Sequence, residues 1–419
     1  MKRSTLTALA ILVLLIGIVY WLERDDGSGA DVERVFDVTE DAIDRVEILR
    51  PAGEPVVLER AGESFRIVQP LDAASDPREV DLVLSNLATM TVVRSFARED
   101  DMDMSEFGLE TPTLEVRFTT HDGGEFGLRF GKDTLTPSNR YAERVGSDEV
   151  LVVAAQVSNN LDKSAWDLRD KAIFHLPDDA EPVRVSIVRG EETIELVNDG
   201  GVWKTATPPR ARVDRFAIVG MVARFRRAEM LELAEDGDIT GLDSPKYRLD
   251  VAFSGDDDTD DIRHLALEIG SKKNIDYFAR VPSSDRVFAI EGGLADELQK
   301  DVRDLWSKKL LHHGTTEMTV VRIVSPDEER SLARDEAQGL LIALANTTAE
   351  EIVTTLPPVD PAFVITVSTD DAEDEFSIRL DDGVAYATRK DEDVTLRLTS
   401  EAWRDIEAEL LSKLTDEPS

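Results

Sequence analysis

The side chains of this 419-residue chain with the strongest claim to chemistry are five histidines, two dense carboxylate runs, a recurring tyrosine and one group of arginines. The histidines are His121, His175, His264, His312 and His313. Metal binding or proton transfer needs several such groups to converge, and only the last two are close in sequence. Neighbouring residues project about 100° apart on a helix and to opposite faces on a strand, so this pair does not readily share one ion. The run from Asp256 to Asp261 is rich in oxygen, as calcium requires. It lacks the spaced Asp-x-Asp-x-Asp-Gly order and the distal bidentate Glu of a calcium loop, and reads as a solvated hairpin loop. Asp100, Asp101 and Asp103 read the same way. Arg224, Arg226 and Arg227, with Arg210 and Arg212, form the main basic cluster, expected to pair locally with Glu229, Glu232 and Glu235. The hydrolase elbow, the Walker phosphate loop, His-Glu-x-x-His and the dinucleotide glycine fingerprint do not occur. Without cysteine there is no thiolate nucleophile, disulfide or Cys-ligated zinc. No catalytic, cofactor-binding or metal-binding residue is assigned, and the chain is read as not an enzyme. An unrecognised pair of acid and base carboxylates is the contrary reading.

The elements around these residues recur. Gly108-Leu109-x-x-Pro112 leads into an alternating strand, and Gly241-Leu242-x-x-Pro245 does the same. Downstream, Gly131 answers Gly270, Tyr141 answers Tyr277, and Asp167-Leu168 answers Asp304-Leu305. The offset is 133 residues between Gly108 and Gly241, 136 between the tyrosines and 137 between the aspartates. A nearly constant offset marks an internal repeat. In each turn the glycine suits a left-handed backbone, the leucine a core plug, and the proline entry to an edge strand. The two tyrosines are either a ligand-facing pair or strand aromatics packed on their own sheets.

Periodicity predicts the rest of each unit. In the first, strands are expected at 45–50, 55–60 and 64–68. Asp76-Pro77 then caps a helix whose stripe is Val80, Val83, Leu84, Leu87 and Met90. Hairpin strands follow at 114–119 and 125–130, then 141–145 and 149–153, with a short helix near Val157. The second unit repeats this order, with strands at 183–188, 192–197 and 202–205, Pro208 answering Pro70, and a helix from Asp214 to Met230 with Phe216, Val219, Gly220 and Ala223 on one face. A third, divergent unit has strands at 318–324, 363–368, 375–380, 386–389 and 395–398, a helix start at Thr348–Glu351 and a closing helix with Trp403, Ile406 and Leu410 inward. It lacks the Gly-Leu-x-x-Pro turn.

The formal net charge of −38 argues against binding to a nucleic-acid backbone or to anionic lipid headgroups, both of which need clustered cations. At the N-terminus, Lys2 and Arg3 precede the apolar run Leu6–Leu22, with Tyr20 and Trp21 at its far end. That run and its flanks just reach across a hydrocarbon core of about 30 Å, and bulky residues stand where a signal-peptide cut would need small ones. The expectation is an uncleaved single-pass anchor in the inner membrane, N-terminus inside and bulk of the chain periplasmic. The fold class expected is α+β: an N-terminal transmembrane helix, then tandem antiparallel sheets each packed with one or two helices. The divisions are 1–22 cytoplasmic stub and anchor, 23–35 linker, 36–176 first repeat, 177–313 second, 314–413 third and 414–419 tail.

With its anchor and its Gly-Leu-x-x-Pro, Gly131/Gly270 and Tyr141/Tyr277 repeats, the chain resembles the domain-of-unknown-function 4340 family (DUF4340). The resemblance implies an accessory or scaffold component beside an ABC-type transport system, with permease subunits as partners beyond the bilayer itself. It supplies no catalytic residues. An extracytoplasmic ligand- or glycan-binding module is the alternative.

Overall fold

The computed structural model describes residues 33–99, 102–254, 262–370 and 372–415. The expected anchor, most of the linker, the acidic loop at 255–261 and Asp100–Asp101 lie outside these residues. Among the described residues no helix is long and apolar enough to cross a membrane.

The first sheet contains β1 (Ile43–Leu49), β2 (Val56–Ala61), β3 (Ser64–Gln69), β4 (Ala73–Ala74), β5 (Arg94–Ala97), β6 (Leu114–Thr120), β7 (Glu125–Asp133), β8 (Asn139–Arg144) and β9 (Glu149–Ala154). Its order is β4-β3-β2-β1-β6-β7-β8-β9-β5, antiparallel throughout. Between β4 and β5 runs helix α1 (Pro77–Thr89). Asp76 caps it by accepting from the Arg78 amide at 2.9 Å, and Pro77 starts it where no amide is needed. Val80, Val83, Leu84 and Leu87 recur at i, i+3, i+4 and i+7, and so share one face. That face joins Val46, Ile48, Val116 and Phe118 of the sheet in one core. Short helices α2 (Ala155–Leu161) and α3 (Ala165–Leu168) close the unit, α3 through a reciprocal box between Ser164 and Asp167.

The second sheet holds β10 (Pro182–Arg189), β11 (Glu192–Asp199), β12 (Val202–Thr205), β13 (Glu232–Leu233), β14 (Tyr247–Ser254), β15 (Ile262–Lys273), β16 (Asp276–Arg280) and β17 (Phe288–Ile290), with α4 (Arg215–Arg226) and α5 (Gly292–Leu298). The third holds β18 (Met318–Val324), β19 (Glu329–Ala333), β20 (Glu351–Val353), β21 (Phe363–Thr369), β22 (Glu373–Asp381), β23 (Val384–Arg389) and β24 (Thr395–Arg397), with α6 (Gln338–Asn346) and α7 (Ser400–Thr415).

All three sheets follow one plan. The strand after the long connection (β6, β14, β21) returns to pair with the first strand (β1, β10, β18). The strand just before it (β5, β13, β20) crosses to the far edge and pairs with the last (β9, β17, β24). Each central pair slips register at the start of its first strand: at Ile43/Arg45, Pro182/Arg184 and Met318/Val320. A shared bulge is as diagnostic of common construction as a shared strand order. The chain divides into two compact units between Lys171 and Ala172. The first contains the first sheet, and the second contains both others.

Three expectations need correction. No helix starts at Thr348–Glu351; that stretch leads into β20, whose Glu351 and Ile352 pair with Arg397 and Leu396. The helix lies earlier, at α6, where Leu340, Leu341 and Leu344 are buried, and sheet pairing overrides the local helical preference of Ala-Glu-Glu. The helix expected to run to Met230 stops at Arg226, because the amide of Leu231 is already bound to the Ala289 carbonyl at the sheet edge. Its core face is Ile218, Met221, Val222 and Phe225, not the stripe of Phe216, Val219, Gly220 and Ala223, which points outward. The cis peptide bonds precede Pro70 and Pro209, while Pro208 keeps the 138-position offset from Pro70 that separates the helix caps Asp76 and Asp214.

Candidate functional site

The repeated turns come first, because they carry the residues singled out by sequence. Gly108 and Gly241 have φ of +72° and +67°, the left-handed region glycine adopts without strain. Leu109 and Leu242 are buried. The prolines do not enter edge strands: β6 and β14 lie inside their sheets, and Pro112 and Pro245 stand two residues ahead of them, outside the ladder.

Gly131, which the expected strand 125–130 left just outside, and Gly270 both lie inside strands. They sit within β7 and β15, where register slips at Phe130/Asp133 and Ile269/Lys272. A bulge leaves a backbone donor without its ladder partner. Here the amide of Lys132 donates to the Phe107 carbonyl at 2.8 Å, and that of Ser271 to the Thr240 carbonyl at 2.7 Å. Those acceptors immediately precede Gly108 and Gly241. The approach is so close that a Cβ at Gly131 or Gly270 would overlap the accepting oxygen. In the third sheet β22 pairs with β23 from Phe376 to Asp381 without a slip, and the Gly-Leu-x-x-Pro turn is missing too. Turn and bulge are therefore two halves of one structural device. Tyr141 packs edge-on against Phe107 at 4.9 Å, so it braces the same turn. Tyr277 is buried in its own sheet, with Lys272 over its ring at 5.6 Å.

A dense polar cluster lies elsewhere, between the second and third sheets of the second unit. Arg212 occupies the segment ahead of α4, held by bridges from Lys204 to Arg212 and from Val213 to Trp306. Its Nη1 donates to Asp374 Oδ1 at 2.9 Å, and its Nε lies 3.5 Å from Glu392 Oε1. Arg389, at the end of β23, meets Glu392 Oε2 at 2.7 Å and donates to the carbonyls of Ser307 and Lys309. The second oxygen of Asp374 accepts from the amide of His312 at 2.8 Å. Around this core the Arg210 amide donates to Asp393 Oδ2 at 2.8 Å, and the Asp393 amide to the Arg210 carbonyl at 2.7 Å. Asp374 and Glu392 are each 5 % exposed, Arg389 1 % and Arg212 11 %. Two cations face two anions, so the group is neutral. Beneath it Ala211, Trp306 and Val394 form a small apolar cluster.

Burial pulls the Arg389 pKa down from its usual value, opposed chiefly by Glu392. Burial, then the charge of Arg212, holds the His312 imidazole below its ordinary value. The His312 and His313 rings meet edge to face at 4.9 Å. Among the described residues no group of three or more His, Asp or Glu is arranged to hold a metal. Beside the network opens a cleft of about 380 Å³ lined by Lys204, Arg210, Arg212, Glu373, Lys390 and Glu392 among others. Both central carboxylates are already matched to arginine. This chemistry holds two sheets together; it does not offer a proton or a nucleophile.

The arginine cluster thus behaves unlike the local reading. Arg210 and Arg212 reach residues more than 160 positions away, Arg224 stands 4.0 Å from Glu297, and Arg226 donates to the carbonyls of Pro177 and Ala180. Glu232 is engaged by Lys273 instead. Helix-neighbour pairing fails because α4 ends before Glu229, so those glutamates are not on its surface.

A model of the family described as Domain of unknown function (DUF4340) matches residues 66–245 and 203–357. The two matches begin at Arg66 and Trp203, which are 137 positions apart, the same offset that separates Asp167 from Asp304. No curated protein matches the chain.

Proposed function

Because the chain belongs to the DUF4340 family, we propose that it is a non-enzymatic accessory or scaffold subunit, anchored in the inner membrane by Leu6–Leu22, with its repeats outside the cytoplasm beside an ABC-type transport complex. The observation that carries this reading is the Arg212–Asp374–Glu392–Arg389 network. Four charged side chains, each at most 11 % exposed, are used to fix one sheet against another, which suits a protein that presents surfaces to partners. Repetition of one sheet plan supports the same reading, since each copy adds surface without adding a reaction centre. Lys2 and Arg3 ahead of the apolar run support the orientation.

The test is a crosslinked pull-down from native membranes in mild detergent, using a tag after Ser419. Recovery of permease or ATPase subunits is expected, and it should be lost when Leu6–Leu22 is replaced by a cleavable signal. A protein that stays in the membrane fraction but brings down no transporter subunit refutes the proposal.

A further inference from the structure

At the end of the first sheet where the chain enters, we infer a docking site for an extracytoplasmic segment of a membrane-embedded transport subunit, held there as the third sheet holds a segment of the second. The inference deepens the transport reading and rests on it for the anchor and for the class of partner.

The first and third sheets correspond residue for residue at this end. Arg34 forms a bridge with Thr91, as Lys309 does with Thr348. The amide of Val92 donates to the Glu33 carbonyl at 2.8 Å, as that of Ala349 does to the Lys308 carbonyl at 2.9 Å. The turn after β8 is fixed by the Val145 amide on the Gly127 carbonyl at 2.9 Å, and the turn after β23 by the Lys390 amide on the Glu375 carbonyl at 2.8 Å. Arg144, at the end of β8, donates to the Val35 carbonyl, and Arg389, at the end of β23, to that of Lys309. This register sets Phe126, Gly127, Val145 and Ser147 where the third sheet has Asp374, Glu375, Lys390 and Glu392.

In the third sheet this place is occupied. Arg212 of the segment ahead of α4 reaches Asp374 and Glu392, the Arg210 amide holds Asp393, and Lys204 shares a cleft with Glu375 and Lys390. In the first sheet the same place is an open cleft of about 460 Å³, lined from β1, β6, β7 and the turn after β8. Its floor is aromatic: Phe126 stacks on the buried Phe118 at 4.9 Å and meets Phe36 edge-on at 5.7 Å. Val145 stands beside it, 44 % exposed.

The exchange of residues defines what the site takes. All four charged side chains of the third sheet at this place are replaced by uncharged ones, Asp374 by Phe126 and Lys390 by Val145 among them. The occupant therefore brings an apolar anchor where the second sheet brings Arg212. Arg45 and Arg117 at the edge of the cleft are already matched by Glu47 and Glu115. A terminal repeat normally turns a polar face outward. This one is more apolar at its end than the third sheet is at a filled junction, which marks a face built to be covered.

Position and charge select the partner. Ten residues separate Leu22 from Glu33, so the entry to the first sheet lies within about 40 Å of the end of the anchor, in reach of a subunit embedded in the same membrane. The lipid surface itself is disfavoured by Glu47 and Glu125 in the cleft and by the net charge of −38. A copy of the chain stacked head to tail is disfavoured as well. The third sheet ends at β19 with no strand in the place of β12, so the last repeat lacks the segment that docks.

A benzophenone amino acid in place of Val145, photolysed in native membranes, should form an adduct with an extracytoplasmic segment of a permease subunit, identified from the crosslinked peptide. The same probe in place of Leu135, fully exposed beyond the other end of β8, should not. Val145→Arg should lower recovery of that subunit through the tag after Ser419 by at least about thirtyfold, the loss expected for a central interface anchor. Its melting temperature should stay close to wild type, because the side chain is nearly half in water and the third sheet carries Lys390 at that position. Leu135→Arg should leave recovery unchanged. A wild type that recovers transporter subunits while the probe at position 145 labels only lipid, a second copy or nothing overturns the inference and leaves the transport reading standing. So does recovery indifferent to Val145→Arg. A wild type that recovers no transporter subunit refutes both.

Discussion

Removing the carboxylate of Glu392 tests whether the charged junction determines the stability of the second unit. In Glu392→Ala the guanidinium of Arg389, 1 % exposed, loses its anionic partner at 2.7 Å and keeps only the carbonyls of Ser307 and Lys309. Arg212 keeps Asp374 at 2.9 Å. The damage is therefore one uncompensated buried cation, and breaking a buried pair from one side costs about 3–5 kcal/mol. For a unit of this size each kcal/mol lowers the melting temperature by about 2–4 °C, so a fall of about 6–20 °C is expected. Calorimetry is the assay, because two compact units need not melt together and their transitions must be resolved separately. The Trp306 ring, buried in the apolar cluster under the junction, gives a fluorescence signal for the same event. Arg389→Met/Glu392→Leu removes cation and anion together and should recover most of the loss, since apolar replacement of a whole buried pair is close to neutral. The reasoning fails if Glu392→Ala melts within about 2 °C of wild type, or if the double variant is as unstable as the single.

Three further outcomes follow from the same structure. His312 has a pKa held down in the folded state by burial and by Arg212, so the unfolded chain takes up a proton that the native one refuses. Stability is then fully present above the unfolded value of about 6.5 and declines as pH falls below it; melting curves from pH 8 to 5 should show a shallower decline in His312→Gln. Gly131→Ala and Gly270→Ala each force a Cβ into a carbonyl oxygen at a bulge, and each should cost about 1–3 kcal/mol by denaturant unfolding, whereas Gly220→Ala, in open space on a helix, should stabilise by about 0.5–1 kcal/mol. Asp76→Ala removes the cap of α1 and should cost about 1 kcal/mol in the first unit alone, visible as a shift of one calorimetric transition and not the other.

The sequence by itself determined whatever depends on near neighbours. The α1 stripe of Val80, Val83, Leu84 and Leu87, the Asp76 cap, the alternating strands of the first two units and the offset between the two Gly-Leu-x-x-Pro turns were all legible. Periodicity and capping act within a turn or two of chain, and repetition copies them intact. The strand at Glu351–Val353 and the early end of α4 were not, because in both places a hydrogen-bond partner far away in sequence outweighs local preference. The stripe of Phe216, Val219, Gly220 and Ala223 shows the limit of amphipathic reading: two apolar stripes on one helix look alike until the sheet chooses between them. Only tertiary structure paired Arg212 with Asp374 and Glu392, across 162 and 180 positions. No spacing rule links residues on different elements. Burial, which makes that pairing consequential, is a property of the folded pair of sheets and of neither segment alone.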